Sequence, residues 1–179
     1  MPFTVTALAE AAPDAIEALL DAAFGADRRG RTAYRLREGA ACLPELSFAA
    51  WEERELIGTL QSWPVALRTG AGAEPLVMVG PVAVLPDNQG QGVGTVLMDA
   101  LIAAAEAQGE RALMMIGDPE YYSRWSFTAE RTGGWWIDGR YEQHRLLARL
   151  RREASADGQL IPIGHMSEGR DPSIFSNAA

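Results

Sequence analysis

Three alternating glycines stand near the middle of the chain, between an apolar run and a helical pattern. Pro86 ends the apolar run, and Gly90, Gly92 and Gly94 follow just before the helix. Alternate glycines let the backbone approach a ligand closely and turn successive N–H groups the same way. A helix N-terminus adds unpaired N–H donors and partial positive charge. The pattern therefore predicts a phosphate-binding loop, even at a net charge of −8, because the donors belong to the main chain.

Two common phosphate-binding motifs fit this loop poorly. A P-loop needs a lysine directly after its last glycine, and no lysine follows Gly94. A dinucleotide fingerprint needs the spacing Gly-x-Gly-x-x-Gly, and Thr95 stands where its third glycine would fall. That loop also normally follows the first strand of its domain, whereas this one comes in mid-chain. A nucleotide-dependent oxidoreductase is thus an alternative that the spacing disfavours.

The loop resembles the signature of the GNAT superfamily of N-acetyltransferases. Residues 89–94 read Gln-Gly-Gln-Gly-Val-Gly and match the family pattern Gln/Arg-x-x-Gly-x-Gly/Ala, after a Val-x-Val-x-Pro lead-in at residues 82–86. A second family segment, Tyr-x-x-x-Gly-Phe, is matched from Tyr122 to Phe127, except that Ser126 replaces the glycine. The resemblance covers about residues 3–150 in element order and residues 82–127 in specific motifs.

The resemblance implies where acetyl-CoA, the co-substrate, would bind. The pantetheine arm would pair with the backbone of Val82, Ala83 and Val84 like an added strand, and a main-chain N–H near Val82 or Val84 would stabilise the oxyanion. The residues expected around the pyrophosphate are Gln89, Gly90, Gln91, Gly92, Val93, Gly94 and Thr95. Tyr122 matches the family's general acid, whose phenol stays protonated at neutral pH. Its alternative role is an aromatic ring packed over the cofactor.

Two features complicate this assignment. If position 126 requires a positive φ, Ser126 costs roughly 1 kcal/mol and could shift Tyr122.

No residue stands out as the base that deprotonates the amine. The carboxylates in or near the predicted sheet are Glu52, Glu53, Glu74 and Glu130. Glu74 is the first choice because it precedes the strand that would hold the cofactor. Arg124 is expected in a surface salt bridge, with a CoA phosphate as its alternative partner.

Composition excludes several other classes of protein. Nucleic-acid binding needs a basic face, which this chain of net charge −8 lacks. No apolar run approaches the ~20 residues that span a bilayer, so no membrane association is expected. The first residues lack the features of a signal peptide, and Cys42 is the sole cysteine, so the cytoplasm is the expected location. Two histidines and one cysteine are too few for a metal site, and Cys42 is expected to be inert.

The periodicity of apolar residues predicts an α/β (α+β) domain with a mixed, mostly antiparallel central sheet flanked by helices. The main helices are expected from Pro13 to Gly25 and from Val93 to Gln108. The strands are expected at residues 3–8, 46–51, 56–63, 76–85, 112–116, 127–130 and 144–150. A short helix is expected at residues 121–125. Trp135 and Trp136 are expected in the core or in an interface, with an acceptor pocket as the alternative.

The predicted domain organisation is one acyltransferase domain, residues 1–152, followed by a loose tail, residues 153–179. Within the tail, Leu160 to Ile163 are expected to pack as an ordered loop. The resemblance implies that the chain is an N-acetyltransferase that acts on a small-molecule or peptide amine. A non-catalytic acyl-CoA sensor of the same fold is the alternative. Dimers are common among such proteins, so a homodimer is a further expectation of the resemblance.

Overall fold

The computed structural model describes residues 3–164 and divides them into two compact units. The first unit comprises residues 3–30, 42–62 and 79–110 of the described chain, and the second comprises residues 31–41, 63–78 and 111–164. In chain order the elements are β1 (Thr4–Ala7), α1 (Pro13–Phe24), α2 (Thr32–Arg35), β2 (Phe48–Glu52), β3 (Glu55–Thr69), β4 (Gly72–Val84), α3 (Val93–Ala107), β5 (Ala112–Ile116), α4 (Pro119–Tyr122), β6 (Gly134–Ile137), β7 (Leu146–Leu150) and β8 (Asp157–Pro162).

The strands form one sheet in the order β1-β2-β3-β4-β5-β7, and β8 pairs with both β3 and β6. The β4–β5 and β6–β8 pairs are parallel, while β1–β2, β2–β3, β3–β8 and β5–β7 are antiparallel. The predicted fold class, a mixed and mostly antiparallel sheet with flanking helices, is confirmed. No helix in residues 3–164 is both long enough and apolar enough to cross a membrane.

Helices α1 and α3 cover opposite faces of the sheet in the first unit. Helix α1 begins at Pro13 and ends at Phe24, before Gly25, whose φ is +88°, and it packs in a cluster with Ala49 of β2. The neighbouring Ala50 pairs with Gly58 of β3, and Val93 and Leu97 of α3 lie directly over Gly58. Because neighbouring residues on a strand point to opposite faces, the two helices sandwich this part of the sheet.

The core of the second unit gathers apolar side chains from strands β3 to β8. Trp135 is almost completely buried and its Nε1 donates to the Ser155 carbonyl at 2.8 Å. Trp136, the next residue on β6, is 48% exposed. The expectation of core packing therefore holds for Trp135. The members of the buried cluster are Leu36, Val65, Leu67, Leu76, Met78, Ala112, Met114, Trp135, Ile137, Leu146, Ala148 and Leu160.

Two expected features near the C-terminal end are wrong. Residues 127–130 form no strand, because Thr128 makes just an isolated bridge to Ala148, and the strand of this region is β6 instead. The ordered loop expected from Leu160 to Ile163 is largely a strand, since β8 pairs antiparallel with β3 and parallel with β6. Both errors arise because short strands are selected by their partners in the sheet and not by local periodicity. The rest of the predicted tail, residues 165–179, lies outside the described residues.

A buried arginine joins α1 to the turn that follows it. Arg28 is 1% exposed and donates to Asp21 Oδ1 at 2.7 Å and to Glu17, which also accepts from Arg29. Partial burial alone would raise the pKa of Glu17, but the hydrogen bonds and charges of Arg28 and Arg29 outweigh it and hold that pKa below its usual 4.5.

We expect Glu17→Gln to lower the free energy of unfolding by about 1 kcal/mol at pH 7, since the amide still accepts a hydrogen bond but the charge attraction to Arg28 and Arg29 is lost at a half-exposed site. A carboxylate whose pKa is lower in the folded than in the unfolded state stabilises the fold above its unfolded pKa and loses that effect as the pH falls through its folded pKa. The difference from wild type should therefore shrink below about pH 4.5. Urea unfolding between pH 3 and 7 measures the difference in unfolding free energy between Glu17→Gln and wild type. Glu10→Gln, at an exposed position, is the control. A constant difference across this range would contradict the assignment.

Candidate acyl-CoA loop and active site

The predicted loop forms an exposed and uncapped helix N-terminus in the first unit. A 3₁₀ turn at Pro86–Asn88 ends β4, and Gly90 and Gly92 adopt φ values of +77° and +87°. Gly92 is the N-cap of α3, no side chain caps the helix, and its first turn contains no acidic residue. The first N–H groups of α3 and the positive end of its dipole therefore face an exposed loop. This is the arrangement that binds phosphate.

Close packing against β3 and hydrogen bonds from two glutamine side chains hold the loop in position. A Cβ at Gly58 would lie 2.8 Å from Val93 Cγ1, so glycine at this position lets the start of α3 approach β3. Gln89 Nε2 donates to the Val84 carbonyl at 3.4 Å and Gln91 Nε2 to the Asp87 carbonyl at 3.1 Å. Both glutamines thus support the loop backbone.

The remaining predicted cofactor residues lie in the same unit. Ala83 is 1% exposed, whereas Val82, Val84, Gly94 and Thr95 are partly exposed. All of the predicted loop and strand residues therefore belong to one local segment that runs from the end of β4 into the first turn of α3. Tyr122 belongs to the second unit.

Tyr122 lies at the C-terminal end of α4, a single helical turn with a well-defined start. Asp118 is its N-cap and accepts from the Glu120 N–H at 3.0 Å, and Pro119 occupies the first helical position. The Tyr122 ring contacts the rings of Tyr121 (centroids 4.8 Å apart) and Phe127 (6.5 Å). Caps and prolines at these positions start helices, so the local sequence accounts for the position of Tyr122.

The surroundings of Tyr122 make its hydroxyl a weaker acid than an ordinary phenol. Burial first, and then Tyr121 and Asp118, raise the pKa of Tyr122 to about 12, although the charge of Arg145 acts in the opposite direction. The hydroxyl therefore stays protonated at neutral pH and several pH units above it. It is available as a hydrogen-bond donor at neutral pH.

Ser126 adopts the left-handed conformation that the family motif assigns to glycine. Its φ is +64° and ψ is +24°, and the turn is closed by the Ser126 N–H, which donates to the Ser123 carbonyl at 2.8 Å. Phe127 is fully buried directly after this turn. The serine therefore follows the glycine-type turn, at the cost of backbone strain.

We expect Ser126→Gly to raise the free energy of unfolding by about 1 kcal/mol, because glycine adopts positive φ without the steric penalty. Ser123→Gly is the matched control. Ser123 has a right-handed φ of −58°, so the same substitution there should destabilise the protein. Urea unfolding of both variants measures the effect, and a stability loss in Ser126→Gly would contradict the strain.

The carboxylates that are candidate bases differ in their hydrogen-bond and ion-pair partners. Both oxygens of Glu74 accept from Ser155, one from its hydroxyl and one from its N–H at 3.2 Å, and Arg152 lies 3.8 Å away. Glu74 therefore joins the start of β4 to the segment after β7. Glu52 accepts from Asn88 Nδ2 at 3.5 Å, next to the loop.

Three further expectations concern side chains outside the loop. The Arg124 guanidinium lies over the rings of Tyr121 at 4.8 Å and Trp125 at 5.3 Å, and its surface salt bridge stays a prediction. Cys42 Sγ lies 3.0 Å from Ser47 Oγ and packs in the first unit. Within residues 3–164, no three His, Cys, Asp or Glu side chains are grouped so that they could hold a metal ion.

Comparison with known proteins identifies the family. The sequence profile of the acetyltransferase (GNAT) family matches residues 14–127, a span that contains both the loop and Tyr122. No curated protein matches the sequence significantly. The chain belongs to the acetyltransferase (GNAT) family.

Solved structures agree at the level of the fold. A GNAT family acetyltransferase from Brucella melitensis in complex with acetyl-CoA superimposes with a TM-score of 0.64 at 24% identity, covering 89% of this chain and 95% of that one. The GNAT family N-acetyltransferase YhbS from Escherichia coli in complex with CoA gives a TM-score of 0.67 at 24% identity, covering 93% and 91%.

Proposed function

We propose that the protein transfers an acetyl group from acetyl-CoA to the amino group of a small-molecule or peptide acceptor in the cytoplasm. The observation that carries the proposal is the uncapped N-terminus of α3, preceded by glycines at φ +77° and +87°, within the span that matches the family. The two similar structures with acetyl-CoA and CoA support the choice of co-substrate.

In this proposal the loop binds the pyrophosphate through main-chain donors. Gln89, Gly90, Gln91, Gly92, Val93, Gly94 and Thr95 form the cradle, and Val82, Ala83 and Val84 pair with the pantetheine arm. Main-chain donors suit an acidic protein, because a phosphate is bound without a basic side chain. The glutamine bonds to the Val84 and Asp87 carbonyls support this role, since they hold the loop backbone without occupying its N–H groups.

The reaction is a direct attack on the thioester. The neutral amine attacks the carbonyl carbon, a main-chain N–H near Val82 or Val84 stabilises the oxyanion, and the C–S bond then breaks. The sulfur takes a proton from Tyr122, and the amine nitrogen releases one to a base or to water. The tyrosinate is reprotonated from solvent, so Tyr122 is unchanged after each turnover.

The acidity of Tyr122 defines how it assists the leaving group. Its pKa of about 12 exceeds the roughly 8.5 of a thiol by roughly 3.5 units, so complete transfer to a free thiolate costs about 5 kcal/mol. A hydrogen bond to the sulfur that strengthens as the C–S bond breaks therefore stabilises the transition state first, and the proton passes fully to the sulfur as solvent reprotonates the tyrosinate. Any positive charge close to Tyr122 would make the full transfer easier.

The proposed acceptor is an amine, with no narrower class assigned. We also propose that the protein forms a homodimer. Trp136, half exposed on β6, is the side chain that supports an interface between two copies. Light scattering of the purified protein tests it.

The function is tested by binding and turnover together. Thermal shift with CoA and with NAD identifies the ligand, because binding raises the stability of the folded state. Release of free thiol from acetyl-CoA is then followed with pooled amines. CoA stabilisation with turnover on one pool is the expected result. Stabilisation without turnover on any pool would favour the non-catalytic acyl-CoA sensor, and stabilisation by NAD alone would overturn the proposal.

A further inference from the structure

The main chain at Gly117 is held by a single residue of the neighbouring strand segment. Strands β5 and β7 pair antiparallel up to Ile116 and Leu146, and Gly117 and Arg145 are the next residues outward. The Gly117 N–H donates to the Arg145 carbonyl at 2.9 Å, and Arg145 Nε donates to the Gly117 carbonyl at 3.3 Å. Arg145 thus uses both its main chain and its side chain to fix the position of Gly117.

The Tyr122 ring rests directly on Gly117. A Cβ at position 117 would lie 2.7 Å from both Cδ2 and Cε2 of Tyr122, so the ring occupies the space that any other residue's side chain would need. The backbone of the same segment continues the support, because the Tyr122 N–H donates to the Asp118 carbonyl at 3.0 Å. A shift of the Gly117 peptide would therefore move the ring.

Arg145 also has the appropriate charge for the chemistry at Tyr122. Of the groups that act on the pKa of Tyr122, burial, Tyr121 and Asp118 disfavour the tyrosinate, and Arg145 favours it. A cation close to a phenol stabilises the anion that remains when the proton leaves. Arg145 is solvent-exposed, so part of this effect is screened.

We propose that Arg145 is a positioning residue of the acyl transfer, which holds the Gly117 peptide under the Tyr122 ring and stabilises the tyrosinate. In the step concerned, the O–H bond of Tyr122 breaks and an S–H bond forms on the departing CoA, while Arg145 keeps the Gly117 peptide under the ring and its positive charge favours the tyrosinate until solvent reprotonates the oxygen. This role rests on the proposed function, because it assumes that Tyr122 donates to the leaving sulfur. It adds a residue that lies outside both sequence motifs.

The experiment compares Arg145→Met, Arg145→Lys and the control Arg54→Met, an exposed arginine in the β2–β3 turn. We expect Arg145→Met to lower kcat about 10-fold with the Kd for CoA unchanged within two-fold, Arg145→Lys to recover part of the loss, and Arg54→Met to match wild type. The Arg145→Met substitution is then repeated in a Tyr122→Phe background. If Arg145 acts through Tyr122, the Arg145→Met substitution should change kcat less than two-fold in the Tyr122→Phe background.

A second measurement does not depend on turnover. In protein labelled on its four tyrosines, the Tyr122 ring signal is assigned by its absence in Tyr122→Phe and should shift in Arg145→Met and less in Arg145→Lys. Unchanged Tyr122 signals in Arg145→Met would overturn the positioning role even if the wild type proved inactive. An equal loss of kcat in both backgrounds, or a loss of CoA affinity, would overturn it as well. Failure of the wild type to bind CoA would instead refute the proposed function.

Discussion

Tyr122→Phe is expected to lower kcat about 100-fold while the Kd for CoA stays within two-fold of wild type. Loss of a positioned proton donor typically costs 10²-fold or more. The phenyl ring should stay in place, because it keeps its contacts with the rings of Tyr121 and Phe127 and with Gly117. Free-thiol release at saturating acetyl-CoA gives kcat, and isothermal titration with CoA gives the Kd.

Tyr121→Phe is the matched control for this prediction. It removes a hydroxyl from the adjacent residue of the same helix, beside the same aromatic cluster. Tyr121 donates no proton in the proposed chemistry and acts on Tyr122 only by helping to raise its pKa, so this variant should keep kcat within about three-fold of wild type. Equal losses in the two variants would indicate a general disturbance of α4, and full activity of Tyr122→Phe would remove Tyr122 from the mechanism.

Gly92→Ala is expected to weaken CoA binding at least 10-fold. Gly92 is the N-cap of α3 at φ +87°, where an L-residue is strained, and relief of that strain would turn the N–H groups of the loop away from the pyrophosphate. A Cβ at this position would meet no protein atom within 4 Å. The loss would therefore come from the backbone or from the bound ligand and not from a clash within the described protein.

The other end of the same helix supplies a close control. Gly109 follows α3 at φ +71°, and a Cβ there would also meet nothing within 4 Å. Both alanine variants should lose about 1 kcal/mol of unfolding free energy, but Gly109→Ala should keep the CoA affinity of wild type. Thermal melts and titration with CoA separate the two effects. Equal affinities in both variants would exclude Gly92 from the binding loop.

The predictions that hold from the sequence concern features that neighbouring residues determine among themselves. Proline at the first position and glycine after the last one bound α1, because proline lacks the N–H that a helix start does not need and glycine adopts positive φ. The alternation of glycines before α3 likewise encodes an exposed helix N-terminus, and the long apolar run encodes the buried part of β4. In each case the decisive interactions lie within a few residues, so they can be read along the chain.

Tertiary structure alone decided the features that need a distant partner. Strand β8 exists because β3 and β6 offer it hydrogen bonds, although its own sequence has no apolar period. Glu74, the first choice of base, is engaged by Ser155, about eighty residues further along the chain. Arg145 meets Gly117 across a strand pair and so reaches Tyr122. Hydrogen bonds and charges act over a few ångströms in space, whatever the separation in sequence, and local patterns cannot encode them.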